Sequence, residues 1–362
     1  MSIDWARAHA YFSKFPFSLL LAGFSVVYGL CVKARSGAYH HGVLRRQQLP
    51  GFVLSVGNIT VGGTGKTPAV IMLARWAKKL GYFPCVLSRG YGGKYREEVL
   101  EVSNGREIRS TWQKCGDEPY LLANKLLALG IPVIVSKKRY LGGRYAVEKF
   151  GSELFILDDG FQHLGIKRDF DLLLLDSRTP FGSGRLIPWG TLREPPRAVR
   201  RADAIILTRW KEGSEGDVAI KRYSSGIPIF SAEHRAEKIV MPQEGGEMRP
   251  SALTGQRVAA FAGIANPDSF RATLEELGAK VCFFKSFGDH HLYTSQDLIE
   301  LEKAGYEHGA RYILTTEKDW VKLQGMGSKN KMFGYLAVKF EIIGARKRLF
   351  SLIERKLEQL TG

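Results

Sequence analysis

The 362-residue chain has only four cysteines, Cys31, Cys85, Cys115 and Cys282, and no two stand in a C-x-x-C spacing. That scarcity excludes a disulfide framework and a cysteine zinc site, and it fits a reducing cytosol. No internal repeat runs through the sequence, which removes solenoids and propellers. RNA-recognition and helix-turn-helix signatures are missing, and the positive charge is spread rather than clustered. Acidic residues are few as well: 36 Asp and Glu stand against 53 Lys and Arg, a formal net charge of +17. Such an excess selects anionic partners, whether nucleic acid, anionic lipid or phosphorylated small molecules. With 44% hydrophobic residues the chain has the composition of a folded protein, and its length suits two domains.

Charge is absent altogether from Phe15 to Val32, FPFSLLLAGFSVVYGLCV, and a basic stretch with Lys33, Arg35, Arg45 and Arg46 follows. Pro16, Gly23 and Gly29 weaken a transmembrane span, and a cleaved signal peptide is disfavoured by Asp4 and by the lack of an A-x-A site. The expectation is a helix in the cytoplasmic membrane interface with its basic flank on anionic headgroups, ahead of a single marginal span or a buried core helix.

From Phe52 to Ala77, FVLSVGNITVGGTGKTPAVIMLARWA, an apolar strand runs into a glycine-rich loop and then a helix. This order is that of a phosphate-binding P-loop, made of Gly62, Gly63, Thr64, Gly65, Lys66, Thr67 and Pro68. Glycines that take positive φ expose backbone N–H groups to phosphate oxygens, Lys66 reaches the β and γ phosphates, and the Thr67 hydroxyl is placed for Mg²⁺. The strict G-x-x-x-x-G-K-[ST] pattern wants glycine where this chain has Thr60.

Further short apolar strands follow at Pro84–Ser88, Pro132–Ser136, Glu153–Asp158, Asp171–Asp176 and Ala204–Thr208, alternating with helices. The pattern predicts a mostly parallel sheet with helices on both faces. Asp158-Asp159 end one of these strands as a Walker-B acid does, presenting a carboxylate to Mg²⁺ or its waters. Asp117 stands at a helix start, open to a capping or a catalytic reading. Lys137, Lys138 and Arg139 form a cationic cluster after a strand, either binding phosphate or simply solvated. Arg193-Glu194 lie in a long Gly-, Pro- and Arg-rich loop, a length that usually signals function. Polar, glycine-rich stretches at Lys211–Asp217 and Glu244–Arg249 read as linkers, and a second βαβ series begins at Arg257. Its Asp289-His290-His291 are open to three readings: metal ligands, a base with its orienter, or polar loop residues. The helix Ile343–Leu360 reads as an amphipathic surface helix.

Taken together these segments resemble the tetraacyldisaccharide 4′-kinase family, the membrane-associated P-loop kinases of lipid A synthesis. Seven motifs occur in order: GN-x-x-x-GG-x-GKTP at Gly57–Pro68, SRGYGG at Ser88–Gly93, GDEP at Gly116–Pro119, DDGFQH at Asp158–His163, LREP at Leu192–Pro195, DHH-x-Y at Asp289–Tyr293 and TEKD at Thr316–Asp319. The family P-loop likewise lacks the first glycine. The resemblance implies a P-loop NTPase-like α/β domain at 36–235, a smaller α/β domain at 236–342, a membrane-associating helix at 1–35 and a C-terminal helix at 343–362. It implies transfer of the ATP γ-phosphoryl group to the 4′-hydroxyl of a lipid A disaccharide 1-phosphate at the cytoplasmic face of the bacterial inner membrane. Mg²⁺ would be held by Thr67, Asp158, Asp159 and Glu194, and the 4′-hydroxyl proton would go to Asp117 paired with His290. Lys66, Arg139 and Arg193 would stabilise phosphate charge. An anionic membrane surface is the expected partner, with no nucleic acid and no obligate protein partner. The competing expectation is a membrane-recruited P-loop ATPase that works as a switch or a nucleic-acid motor.

Overall fold

The computed structural model describes residues 17–210, 216–326 and 330–361. Helix α1 spans Phe17–His40; Phe15 and Pro16 of the uncharged run lie outside the described residues. Then come β1 (Phe52–Gly57), α2 (Lys66–Lys79), β2 (Pro84–Ser88), β3 (Leu100–Ser103), α3 (Trp112–Cys115), α4 (Asp117–Leu126), β4 (Val133–Val135), α5 (Arg139–Phe150), β5 (Leu154–Asp158), β6 (Phe170–Asp176), β7 (Ala204–Thr208) and α6 (Gly216–Lys221). The long β8 (Ile229–Met241) precedes β9 (Gly246–Met248), β10 (Arg257–Ala262), α7 (Pro267–Glu276), β11 (Lys280–Ser286), α8 (Ser295–Glu307), β12 (Tyr312–Thr316), α9 (Glu317–Leu323), β13 (Phe333–Ile343) and α10 (Arg346–Thr361).

Two compact units result. Among the described residues, one is formed by 17–234 and 340–361, and the other by Arg235–Lys339. In the first, the strands run in the order β8-β7-β6-β1-β5-β2-β4-β3, parallel throughout except for β3 against β4. The registers Val56↔Asp158 and Ser88↔Val135 bring the carboxyl ends of β1, β5, β2 and β4 to one edge, where open α/β sheets place ligands. Central strands here are continuous apolar runs because both faces are covered: β1 is buried over its whole length, as are Leu172 to Leu175 of β6.

The other unit orders its parallel strands β11-β10-β12-β13, and β8 and β9 form an antiparallel pair. The polar stretch Glu244–Arg249, expected to be a linker, is therefore largely strand β9 and the turn before it. Of the other expected linker, Lys211–Glu215 lies outside the described residues and Gly216-Asp217 open α6.

The C-terminal helix also departs from expectation. Leu349, Phe350, Ile353 and Leu357 form one stripe of α10 and are buried in the core of the first unit. Phe350 stacks on Trp76 with centroids 5.2 Å apart at 13°. Burial of a large apolar side chain contributes roughly 1.5–3 kcal/mol, so α10 is a core element and not a surface addition.

Helix α1 is the reverse case. It is the one helix among the described residues long and apolar enough to cross a membrane, and only 6% of its apolar window is buried. Leu19, Leu20, Phe24, Val26, Val27 and Leu30 all lie at least 58% exposed, which removes the buried core-helix expectation.

Candidate active site

The loop after β1 turns into α2 through Gly62 at φ 113° and Gly65 at φ 81°, both in the region that glycine alone enters without strain. Gly63, expected to share that conformation, does not. Thr60 explains the missing first glycine: it forms an antiparallel bridge with Leu192, a strand-like conformation open to any residue. The Val61 N–H donates to the Thr191 carbonyl at 2.7 Å and the Arg193 N–H to the Ile59 carbonyl at 2.8 Å, so the segment carrying Arg193 is pinned to the P-loop. Asn58 steadies the loop from within, its Nδ2 donating to the Thr64 hydroxyl at 3.0 Å. Lys66 and Thr67 then open α2, where unpaired N–H groups and the helix dipole favour phosphate.

Asp158 ends β5 and Asp159 follows it in the turn, and their environments differ. Asp158 is 3% exposed; its Oδ2 accepts from the Ser88 hydroxyl at 2.9 Å, and its Oδ1 is buried without a partner. Burial, with Glu118 and Asp159 adding to it, pushes this carboxyl well above the ordinary range. Asp159 sits in the left-handed region at φ 51°, a conformation that costs about 1 kcal/mol or more. Burial alone would raise its pKa, but Lys66 and Arg193 outweigh that and hold it at about 2. Arg193 Nη1 donates to both Asp159 oxygens at 2.7 and 3.0 Å, and Lys66 Nζ stands 3.5 Å from Oδ1.

Glu194 is closed off. Arg201 Nη1 and Nη2 donate to its two oxygens at 2.6 and 2.9 Å, and Gln162 Nε2 adds a third bond at 3.0 Å. Arg201 also lies over the Phe161 ring at 4.5 Å. Of the cationic cluster after β4, Lys137 and Lys138 are exposed, whereas Arg139 is 2% exposed and donates to the carbonyls of Ser136 and Asp158. Burial lowers the Arg139 pKa to about 10, against the pull of Asp158 and Asp159. His163 lies near Arg139, and burial followed by the surrounding arginines takes its pKa down to about 4. Asp117 is the first residue of α4, 5% exposed, its Oδ1 accepting from the Glu118 N–H at 2.9 Å.

His290 belongs to the other unit. It too has positive φ, 59°, and its N–H donates to the Gly263 carbonyl at 3.2 Å. Its Nε2 lies 3.3 Å from Lys318 Nζ, which is itself 3.8 Å from Asp289. An ammonium only donates, so in this contact Nε2 is the acceptor. The neighbouring His291 has a structural role: it bonds Asp297 at 3.2 Å and stacks on Phe287 at 4.5 Å. Among the described residues no group of three His, Cys, Asp or Glu is gathered to hold a metal, so the metal reading of this loop has no support.

Thus Lys66, Asp158, Asp159, Arg139 and Arg193 converge at one strand edge with the P-loop, with Glu194 held just behind. Ser88, Asn58, Gln162, Arg201 and Lys318 were not foreseen, although Ser88, Asn58, Gln162 and Lys318 stand inside the seven motifs. Asp158 Oδ1 is suited to Mg²⁺, an ion that takes one or two protein carboxylates and completes its shell with phosphate and water. Thr67 is the hydroxyl at the matching P-loop position. Glu194 offers no open oxygen to a metal.

A parallel sheet, a P-loop and a carboxylate on the adjacent strand define a P-loop nucleotide-binding protein. The family described as tetraacyldisaccharide-1-P 4′-kinase matches residues 17–358, and the chain belongs to that family. Tetraacyldisaccharide 4′-kinase of Syntrophus aciditrophicus is 46% identical over 322 residues, covering 86% of each chain. The enzyme of the same name from Geobacter metallireducens is 43% identical over 306 residues, 84% of this chain and 88% of the relative. The crystal structure of the "apo" form of LpxK from Aquifex aeolicus in complex with ATP is 35% identical with a TM-score of 0.74, covering 92% of this chain and 98% of that one. This membership sets aside the switch ATPase and the nucleic-acid motor.

Proposed function

We propose that this chain transfers the γ-phosphoryl group of ATP to the 4′-hydroxyl of a tetraacylated glucosamine disaccharide 1-phosphate, giving the 4′-phosphorylated lipid A precursor. The observation that carries it is the grouping of Lys66, Asp159 and Arg193 at the P-loop within the family's motif order. The P-loop N–H groups hold the phosphates, and Lys66 and Arg193 oppose charge as it shifts toward the leaving oxygen. Phosphoryl transfer needs mainly such positioning and neutralisation. Thr67 and Asp158 would hold Mg²⁺, which would supply positive charge to neutralise the phosphates. Glu194, expected at the metal, instead orients its loop through Arg201 and Gln162. Buried Arg139 orients the Asp158 main chain and adds positive potential. Asp117 takes the 4′-hydroxyl proton late, when the attacking oxygen has become acidic, and His290 of the DHH-x-Y motif serves the same step.

The amphiphilic acceptor and α1 fit together. With its apolar face in the lipid surface and Lys33, Arg45 and Arg46 at anionic headgroups, the helix keeps the enzyme at the cytoplasmic face of the inner membrane as a monotopic protein. Labelled ATP, Mg²⁺ and the tetraacyldisaccharide 1-phosphate in detergent micelles test the reaction. Wild type is expected to give 4′-phosphorylated lipid, with roughly 10²-fold or greater loss in Lys66→Ala and in Asp117→Ala. ATP consumption without lipid product overturns the assignment.

A further inference from the structure

Besides its exposed apolar face, α1 has a second face that is built into the phosphate-handling loops. The Tyr28 hydroxyl donates to the backbone carbonyl of Arg193 at 2.9 Å, and the Ser25 hydroxyl to the carbonyl of Leu186 at 2.9 Å. Next to Tyr28, Gly29 lies so near Leu186 that a Cβ would come within 2.8 Å, and about two turns beyond Tyr28, Arg35 donates to the carbonyl of Gln162 at 3.0 Å. Burial, and next Glu194, raises the Tyr28 pKa, as expected for a phenol that stays a donor in this place. On its other side the same segment is bonded to the P-loop, through Thr191 to Val61 and Arg193 to Ile59. Residues 191–193 are therefore clamped between the P-loop and α1. Tyr28 holds the one peptide plane from which both Arg193 and Glu194 project.

A helix that served only as a tether would need none of these bonds, which reach three backbone carbonyls in the two loops that carry Asp158 to His163 and Arg193-Glu194. A carbonyl carries no sequence specificity, but fixing it restricts the torsion that aims the following side chains. We propose that Tyr28 is a positioning residue for phosphoryl transfer, holding the Arg193 main chain so that the lipid-contacting helix is also a structural part of the phosphate site. This rests on Arg193 acting as a phosphate-charge stabiliser. Loss of the hydroxyl removes no charge and no apolar surface. It loosens a group needed in the transition state, so it should act on kcat rather than on KM.

The test is Tyr28→Phe in the full chain, with kcat, the KM values for ATP and lipid acceptor, thermal midpoint, and binding to phosphatidylglycerol vesicles. Expected is a kcat roughly 2- to 12-fold lower, the worth of one neutral hydrogen bond, with both KM values and vesicle binding unchanged. Ser25→Ala, which frees the other end of the segment, should move kcat in the same direction. Amide exchange at residues 191–194 should quicken in Tyr28→Phe while α1 itself stays bound to vesicles. A wild-type kcat in Tyr28→Phe alongside an inactive Arg193→Ala overturns the positioning role alone. A fully active Arg193→Ala overturns the reading beneath it. A loss in Tyr28→Phe that tracks weaker vesicle binding or a raised lipid KM also overturns the proposal, because the helix would then act only as an anchor.

Discussion

Replacing Asp158 by Asn removes a buried carboxyl whose proton affinity is raised by the fold. The side chain is 3% exposed, Ser88 satisfies one oxygen, and the other has no partner. Burial first, and Glu118 and Asp159 next, take its pKa from an ordinary 3.8 to about 7. Between those values the native protein holds a proton that the unfolded chain has released, so stability falls as pH rises through the window. Below it both states are protonated; above it both are ionised and the full penalty applies. A carboxyl raised from 3.8 to about 7 makes that penalty on the order of 4 kcal/mol. Asn carries no charge and lacks this dependence. Denaturant unfolding of both proteins in detergent, free of divalent metal, is expected to show the stability difference swinging toward Asn by about that amount between about pH 4 and pH 8. Magnesium with ATP gives the ionised carboxylate a counter-charge, so above pH 7 it should stabilise wild type much more than the Asn variant. A stability difference that is flat across the range would show that Asp158 is ionised in the native protein, and with it the account of its environment would fail.

Two other residues give sharp expectations. Lys318→Met removes the donor that keeps His290 Nε2 an acceptor, and should lower kcat roughly tenfold with the ATP KM unchanged, while Lys318→Arg retains most of the rate; equal rates in all three would deny Lys318 any part in orienting His290. Phe350→Ala removes a ring stacked on Trp76 in the core of the P-loop unit, and should destabilise it by about 3–5 kcal/mol, measured by chemical unfolding; a change below 1 kcal/mol would return α10 to the surface.

Much of the P-loop unit was legible because its parallel strands are continuous apolar runs punctuated by Gly, Asp and Ser. Pro84–Ser88 and Ala204–Thr208 are strands over those same residues. Strands that are only half-buried escaped notice. β8 carries Arg235 and Glu237 at exposed positions and Glu233 and Lys238 at half-buried ones and reads as polar chain, and its partner β9 reads as a linker. The burial of α10 depends on the chain returning to the first unit after β13, which no local pattern announces. Within the site, residue types and motif order located the charged groups but not their partners. Ser88 meets Asp158 across 70 residues and Gln162 meets Glu194 across 32, contacts made only when β2, β5 and the long loop come together.

Arg193 and Glu194 show how much the partners matter. Adjacent in sequence, they look like a matched base and acid for phosphate and metal. Arg193 reaches both Asp159 oxygens through the single nitrogen Nη1, so the rest of its planar fork keeps donors suited to phosphate oxygens. Both oxygens of Glu194 are already taken by the two terminal nitrogens of Arg201, with Gln162 as a further donor. Opening Glu194 to a metal would leave the Arg201 guanidinium over Phe161 without its carboxylate, and stripping a charge-assisted pair of one partner costs several kcal/mol. Arg193 can meet the nucleotide without such a loss, because its pairing with Asp159 already holds its long side chain in place and phosphate adds contacts to an ordered group. On the proposed reading the two neighbours divide the work: Arg193 would supply charge at the phosphates, while Glu194, held by Arg201 and Gln162, anchors the main chain from which that charge is aimed.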